Sequence, residues 1–150
     1  MRRAIMLAVS SVRERRGGPF GAVVVRDREV ISEGTNRVTA TNDPTAHAEV
    51  VAIRQACRKL GRFTLKDCVL FSSCEPCPMC LGAIYWARVG RLYFACTRED
   101  AASAGFDDSL LYDQLGLGAE SRSLPSGQLL RQEGLEAFGA WEQWEGKIPY

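Results

Sequence analysis

The chain has 150 residues, of which 46% are hydrophobic and 25% charged, with a formal net charge of +1 at pH 7. That size and balance fit one globular domain whose core needs no disulfide staples. So even a charge gives no electrostatic basis for nucleic acid or an anionic membrane as the main partner.

The opening segment MRRAIMLAVSSVRERR places Ile5, Ala8, Val9 and Val12 at helical spacing and reads as an amphipathic first helix. Its unbroken apolar stretch, 4–9, is too short for a secretory signal, and no segment reaches the ~18–20 apolar residues of a membrane span. The arginines at 13, 15 and 16 are interrupted by Glu14 and read as a solvated helix face. Gly17, Gly18 and Pro19 break the helix, and 20–26 (FGAVVVR) predicts a strand. Asp27, Arg28 and Glu29 form a polar turn into a second, antiparallel strand over 30–35. A loop rich in Thr, Asn, Asp and Pro follows, then a second helix over about 46–60 that Gly61 stops. The short apolar run 69–73 predicts a buried strand, and Pro78 suits the start of a third helix reaching about Arg88. After Gly90 comes a fourth strand, RLYFAC. Strands alternating with helices predict an α/β layered domain around a central sheet. Beyond it, 100–104 predicts a helical turn, 108–115 a short helix and 121–127 a loop. Phe138, Trp141 and Trp144 recur three apart in a last helix, a stripe suited to packing on its own subunit or on a partner.

Six cysteines stand at 57, 68, 74, 77, 80 and 96, three of them within seven residues. Clustering of this kind without a secretory signal points to metal binding in a reducing compartment, the cytoplasm, rather than to disulfides. The single histidine, His47, lies thirty positions before Cys77. One imidazole and two thiolates hold zinc and leave its fourth position open for water, the arrangement of a catalytic site. Two pairs have the Cys-x-x-Cys spacing, 74/77 and 77/80. Pro76 and Pro78 place Cys77 at a helix cap and Cys80 in the first turn, whereas Cys74 belongs to the preceding strand, so 77/80 is the expected pair. A structural four-cysteine site would need a second pair, and only isolated Cys96 remains downstream. Glu49, in the same helical turn as His47, is placed to exchange a proton with a water at the metal without ligating it.

The His47-Ala48-Glu49 and Pro76-Cys77-Pro78-Met79-Cys80 motifs together resemble the zinc-dependent nucleobase deaminases of the cytidine deaminase superfamily. The segments GGPFGAV from Gly17, NDPTAHAE from Asn42, SCEPCPMCLGAIYWAR from Ser73, AGFDDS from Ala104, and the final Tyr150 are similar to the bacterial guanine deaminases in particular. The likeness is weakest over about 114–137. It implies a three-layer α/β/α fold with a central mixed sheet, formed by 1–150 as one domain whose C-terminal 115–150 is exchanged between the subunits of a homodimer. It further implies one zinc ion per subunit on His47, Cys77 and Cys80, with Glu49 catalytic. Phe20, Asn36, Ala48, Trp86, Phe106, Asp108 and Tyr150 would bind the base. The residues alone leave Asp107 and Asp108 open, and the match gives Asp108. The implied reaction is hydrolysis of guanine to xanthine and ammonia.

Rival readings are a deaminase of ammeline or a related triazine, of cytosine, or of tRNA adenosine. The last calls for a basic face that this composition does not supply. A non-enzymatic rival is a zinc-stabilised interaction module that docks through its aromatic tail.

Overall fold

The structure, a computed structural model, describes residues 1–150 and divides into two compact units, Met1–Asp108 and Ser109–Tyr150. In the first unit, α1 (Arg2–Arg13) leads into a hairpin of β1 (Gly21–Arg26) and β2 (Glu29–Thr35). Asp27 and Arg28, at φ of 51° and 68°, make the two-residue turn whose positive dihedrals match strand twist. A single helical turn, α2 (Val38–Thr41), precedes α3 (Ala48–Leu60), which ends on Gly61 in the left-handed region at φ 63°. Then come β3 (Val69–Cys74), α4 (Pro78–Trp86), β4 (Arg91–Cys96) and α5 (Arg98–Ser103). Thr97 starts α5 with a reciprocal capping box to Asp100.

The sheet order is β2-β1-β3-β4. β1 pairs antiparallel with both neighbours, and β3 pairs parallel with β4, so the sheet is mixed. Two glycines show how the layers stack. A side chain at Gly21 would run into the backbone of α1 at Ala4 and Ala8, and one at Gly34 into that of α3 at Ala48 and Ala52. Gly34 pairs with Ala22, the next residue after Gly21, and successive strand residues point to opposite faces. The helices α1 and α3 therefore cover opposite faces, giving helix, sheet, helix. The main core lies on the α3 side, where Ala22, Val24 and Leu70 of the sheet meet Ala52, Ile53 and Ala56 of α3 and Ile84 of α4.

Three expectations from sequence need correction. The buried stripe of α1 is Ala4, Ala8 and Ser11, while Ile5, Val9 and Val12 are exposed. Small residues face the sheet because Gly21 lets the two backbones approach closely, which a stripe of Ile and Val would prevent. The segment before α3 is not all loop, since it contains α2, too short to leave a periodic signal. The helix after Pro78 ends at Trp86, with Arg88 already in the left-handed region at φ 51°.

The second unit comprises α6 (Ser109–Leu115), a 3-10 turn (Ala119–Ser121) and α7 (Arg131–Gln143). Trp141 and Trp144 meet edge to face at 5.5 Å, yet no residue from 109 to 150 is buried.

Candidate metal centre

The antiparallel and parallel pairings bring the start of β1 and the ends of β2, β3 and β4 to one edge of the sheet. Carboxyl ends of strands are where open α/β sheets place ligands. Two helices also begin there: His47 is the N-cap of α3, and Cys77 the N-cap of α4 with Pro78 behind it. Cys80 follows in the first turn of α4, fully buried. The backbone is extended at each N-cap. Both helix N-termini bring unpaired N–H groups and positive dipole ends to the site, which favours thiolate.

The ligand atoms of His47, Cys77 and Cys80 all lie within 4.8 Å of one another. His47 Nδ1 is 3.5 Å from Cys77 Sγ and 3.4 Å from Cys80 Sγ. Bond lengths of ~2.3 Å to sulfur and ~2.0 Å to nitrogen at a tetrahedral angle predict an N···S edge of about 3.5 Å, so the donor set fits zinc. Electrostatics agree. A hydrogen bond from the Cys80 thiol, aided by His47, holds Cys77 down to about 4, and the same bond to Cys77 pushes Cys80 up. Hydrogen bonding to Cys77 also raises the His47 ring. The three groups share protons in a space where one divalent cation would replace them.

Glu49 lies in the first turn of α3 with its side chain buried. Its Oε1 accepts a 2.8 Å hydrogen bond from Ser72 Oγ on β3, and its Oε2 faces Cys80 Sγ at 3.4 Å. Burial pushes its carboxyl above the usual range, with the Ser72 hydrogen bond pulling the other way. The carboxyl is thus aimed at the ligand cluster without belonging to it.

Cys74, the other partner in a Cys-x-x-Cys pair, ends β3 and donates its thiol to the Thr97 carbonyl at 3.4 Å. Burial pushes it up to about 11, a protonated thiol turned to the backbone.

Around the cluster, Asn36 is buried, its N–H bonded to the Phe20 carbonyl at 3.1 Å and its Oδ1 accepting the Val38 N–H at 3.2 Å. The amide group of Asn36 keeps its NH2 for other acceptors. Phe20 packs on the core and meets Phe106 edge to face at 4.9 Å. Burial, and then the charge on Cys77, raises the Asp108 carboxyl. Asp108 is half-buried and Asp107 exposed. Ala48 is buried between His47 and Glu49. Trp86, the last residue of α4, is 67% exposed, and Tyr150 lies at the end of the second unit. The structure thus gathers His47, Glu49, Cys77 and Cys80 at one centre, with Ala48 between the first two in the chain, and links Phe20 with both Asn36 and Phe106.

Ser72 was not singled out from the sequence. A lone serine in an apolar strand looks like any other small inward residue, and only the pairing of β3 beside α3 reveals its partner.

A sheet edge with two helix N-termini carrying His-x-Glu and Pro-Cys-x-x-Cys defines a class. The chain belongs to the cytidine and deoxycytidylate deaminase zinc-binding family, whose sequence model matches residues 1–96. Within that class it is 53% identical over 150 residues to guanine deaminase from Bacillus subtilis, covering 100% of this chain and 96% of that protein. The crystal structure of the Bacillus subtilis guanine deaminase superposes with a TM-score of 0.97 over 99% of this chain and 95% of that one. A tRNA-specific adenosine deaminase of Agrobacterium fabrum is 45% identical over 89 residues, 59% of each protein. A crystal structure in complex with 2,6-diaminopurine is 32% identical, with a TM-score of 0.66 over 91% of this chain and 67% of that one.

Proposed function

We propose that this protein hydrolyses guanine to xanthine and ammonia. The observation that carries the reading is full-length similarity to a guanine deaminase, tail included, joined to a His47, Cys77 and Cys80 cluster that fits zinc. Similarity to the tRNA deaminase stops at 89 residues. The similar structure with 2,6-diaminopurine supports a purine with an exocyclic amine as the substrate class.

His47, Cys77 and Cys80 would hold the zinc, and the chemistry it would supply there is a water acid enough to act as a nucleophile at neutral pH. Glu49 takes the proton from that water as the oxygen bonds to C2 of guanine. The carboxyl, lifted by its burial, passes that proton to a ring nitrogen, then takes the second proton from the oxygen now on C2 and delivers it to the C2 amine as the C–N bond breaks and the C2 carbonyl forms. The balance is one water consumed and one ammonia released. Asn36 and Asp108 supply donors and acceptors for the purine edge, with Ala48 lining the floor between the metal and acid residues. The rings of Phe20, Phe106 and Trp86 offer flat apolar faces for a planar base. Tyr150 completes the pocket from the C-terminal segment of a second subunit.

That last role goes with a homodimer that exchanges C-terminal segments. The support is apolar surface: Leu115, Leu124, Leu129, Phe138 and Ile148 all stand more than 60% exposed in one chain. Large apolar side chains left exposed in this number support association, and exchange of one segment across a two-fold is a low-cost route to a symmetric dimer. Truncation after Pro125 is expected to give a monomer that has lost most activity on guanine, by size-exclusion chromatography with light scattering and by assay. A truncated protein that stayed dimeric and fully active would remove the tail from both roles. No helix is long and apolar enough to cross a membrane, and free cysteines throughout suit the cytoplasm.

The substrate is tested by comparing kcat/KM for guanine, ammeline, cytosine and an adenosine-bearing anticodon stem-loop on zinc-loaded protein. Guanine is expected to exceed each of the others by about tenfold or more, since a site built to bond a base edge rejects edges that leave its groups unpaired. A higher value for any other substrate would transfer the assignment to it.

A further inference from the structure

We infer that Ser72 is a positioning residue for the deamination, one that fixes which oxygen of Glu49 faces the metal-ligand cluster. The inference rests on the proposed role of Glu49. Ser72 lies in the middle of β3, opposite Ala22 on the face that α3 covers, and its side chain is almost wholly buried. Its hydroxyl donates to Glu49 Oε1 at 2.8 Å, a bond between two buried groups that come together from different elements. Glu49 Oε2 is left as the oxygen facing the metal ligands, 3.4 Å from Cys80 Sγ.

A carboxylate has two equivalent oxygens and a soft terminal torsion, so nothing within Glu49 itself fixes which oxygen faces the ligands. Ser72 breaks that equivalence. With Oε1 held on the β3 side, the carboxyl plane is locked and Oε2 is presented to water and substrate throughout the cycle. The anchor is a hydroxyl, which stays a donor whether the carboxyl is ionised or protonated. It sits on the central part of a paired strand, a rigid support for a group that must not drift. The neighbouring Ser73 is committed elsewhere, accepting the Gly21 N–H at 3.0 Å and tying β3 to β1. The two serines of this strand therefore have separate tasks.

The test is steady-state deamination of guanine by zinc-loaded Ser72→Ala, Ser72→Thr, Glu49→Gln and the Ser72→Ala/Glu49→Gln double variant, with zinc content and thermal unfolding measured on each. In Ser72→Ala, kcat is expected to fall by about 10- to 100-fold, the usual effect of removing an outer partner of a site group. KM should stay within about threefold and zinc should remain stoichiometric, because Ser72 touches neither substrate nor metal. Ser72→Thr keeps the hydroxyl and should recover most of the rate, which a purely packing role would not produce. In the double variant the serine change should add nothing to the loss from Glu49→Gln, since the two groups act as a unit. Wild-type kcat in Ser72→Ala, alongside an inactive Glu49→Gln, would overturn the positioning role alone. So would a Ser72→Ala protein whose loss traces to missing zinc or unfolding while Ser72→Thr is equally impaired. Full activity of Glu49→Gln would instead overturn the role of Glu49 on which the inference stands.

Discussion

A zinc-loaded Glu49→Ala protein is expected to lose turnover of guanine by about 10²–10⁴-fold, the range that a positioned general acid–base supplies. It should keep its zinc and its fold. The metal ligands are His47, Cys77 and Cys80, and the carboxyl only faces Cys80. Removing a buried acid whose ionised form is disfavoured by burial also relieves a desolvation cost, so stability should not suffer greatly. The partner left behind is the Ser72 hydroxyl, a neutral donor that a water in the vacated space can satisfy. Metal analysis, thermal unfolding and steady-state assay separate these effects. Substantial turnover in Glu49→Ala would take the proton transfer away from this residue.

Cys80→Ser is expected to lose zinc on dialysis against a chelator and to lose activity with it. Serine keeps the size but gives up the soft thiolate that zinc prefers. Zinc bound to the native state stabilises it by about 2.7 kcal/mol at a hundredfold excess over Kd, so the variant should unfold where metal-free wild type does. Cys74→Ser is the informative companion. Cys74 is a protonated thiol turned to the Thr97 carbonyl, and its replacement should leave zinc content unchanged. If Cys74→Ser lost the metal and Cys80→Ser kept it, the ligand pair would be 74/77, and the geometry of the α4 N-terminus would have been misread.

What could be read from the chain and what could not divide along physical lines. The metal ligands were legible because zinc chemistry is restrictive: one imidazole, two thiolates and a proline-marked helix start leave few alternatives. Four strands and the main helices were legible because apolar spacing and Gly or Pro breaks report local conformation directly. The stripe of α1 was misjudged because residue size, not hydrophobicity, decides which face meets a sheet that carries Gly21. The turn α2 was missed because four residues make no period. Strand order, which sets β1 between β2 and β3, is a long-range property and has no local sign. The same holds for Ser72. Its partner is 23 positions away, and the contact exists only because α3 lies across the sheet. Between Asp107 and Asp108 local sequence is silent, and in the structure the first is exposed and the second half-buried.

The most direct test of the central claim is product analysis with guanine and purified, zinc-loaded protein. Ammonia and xanthine should appear in equal amounts, and both should vanish on removal of zinc and return on its restoration. A folded, zinc-replete sample that released no ammonia from guanine would contradict the assignment and require Asn36, Trp86, Asp108 and Tyr150 to be matched to another base.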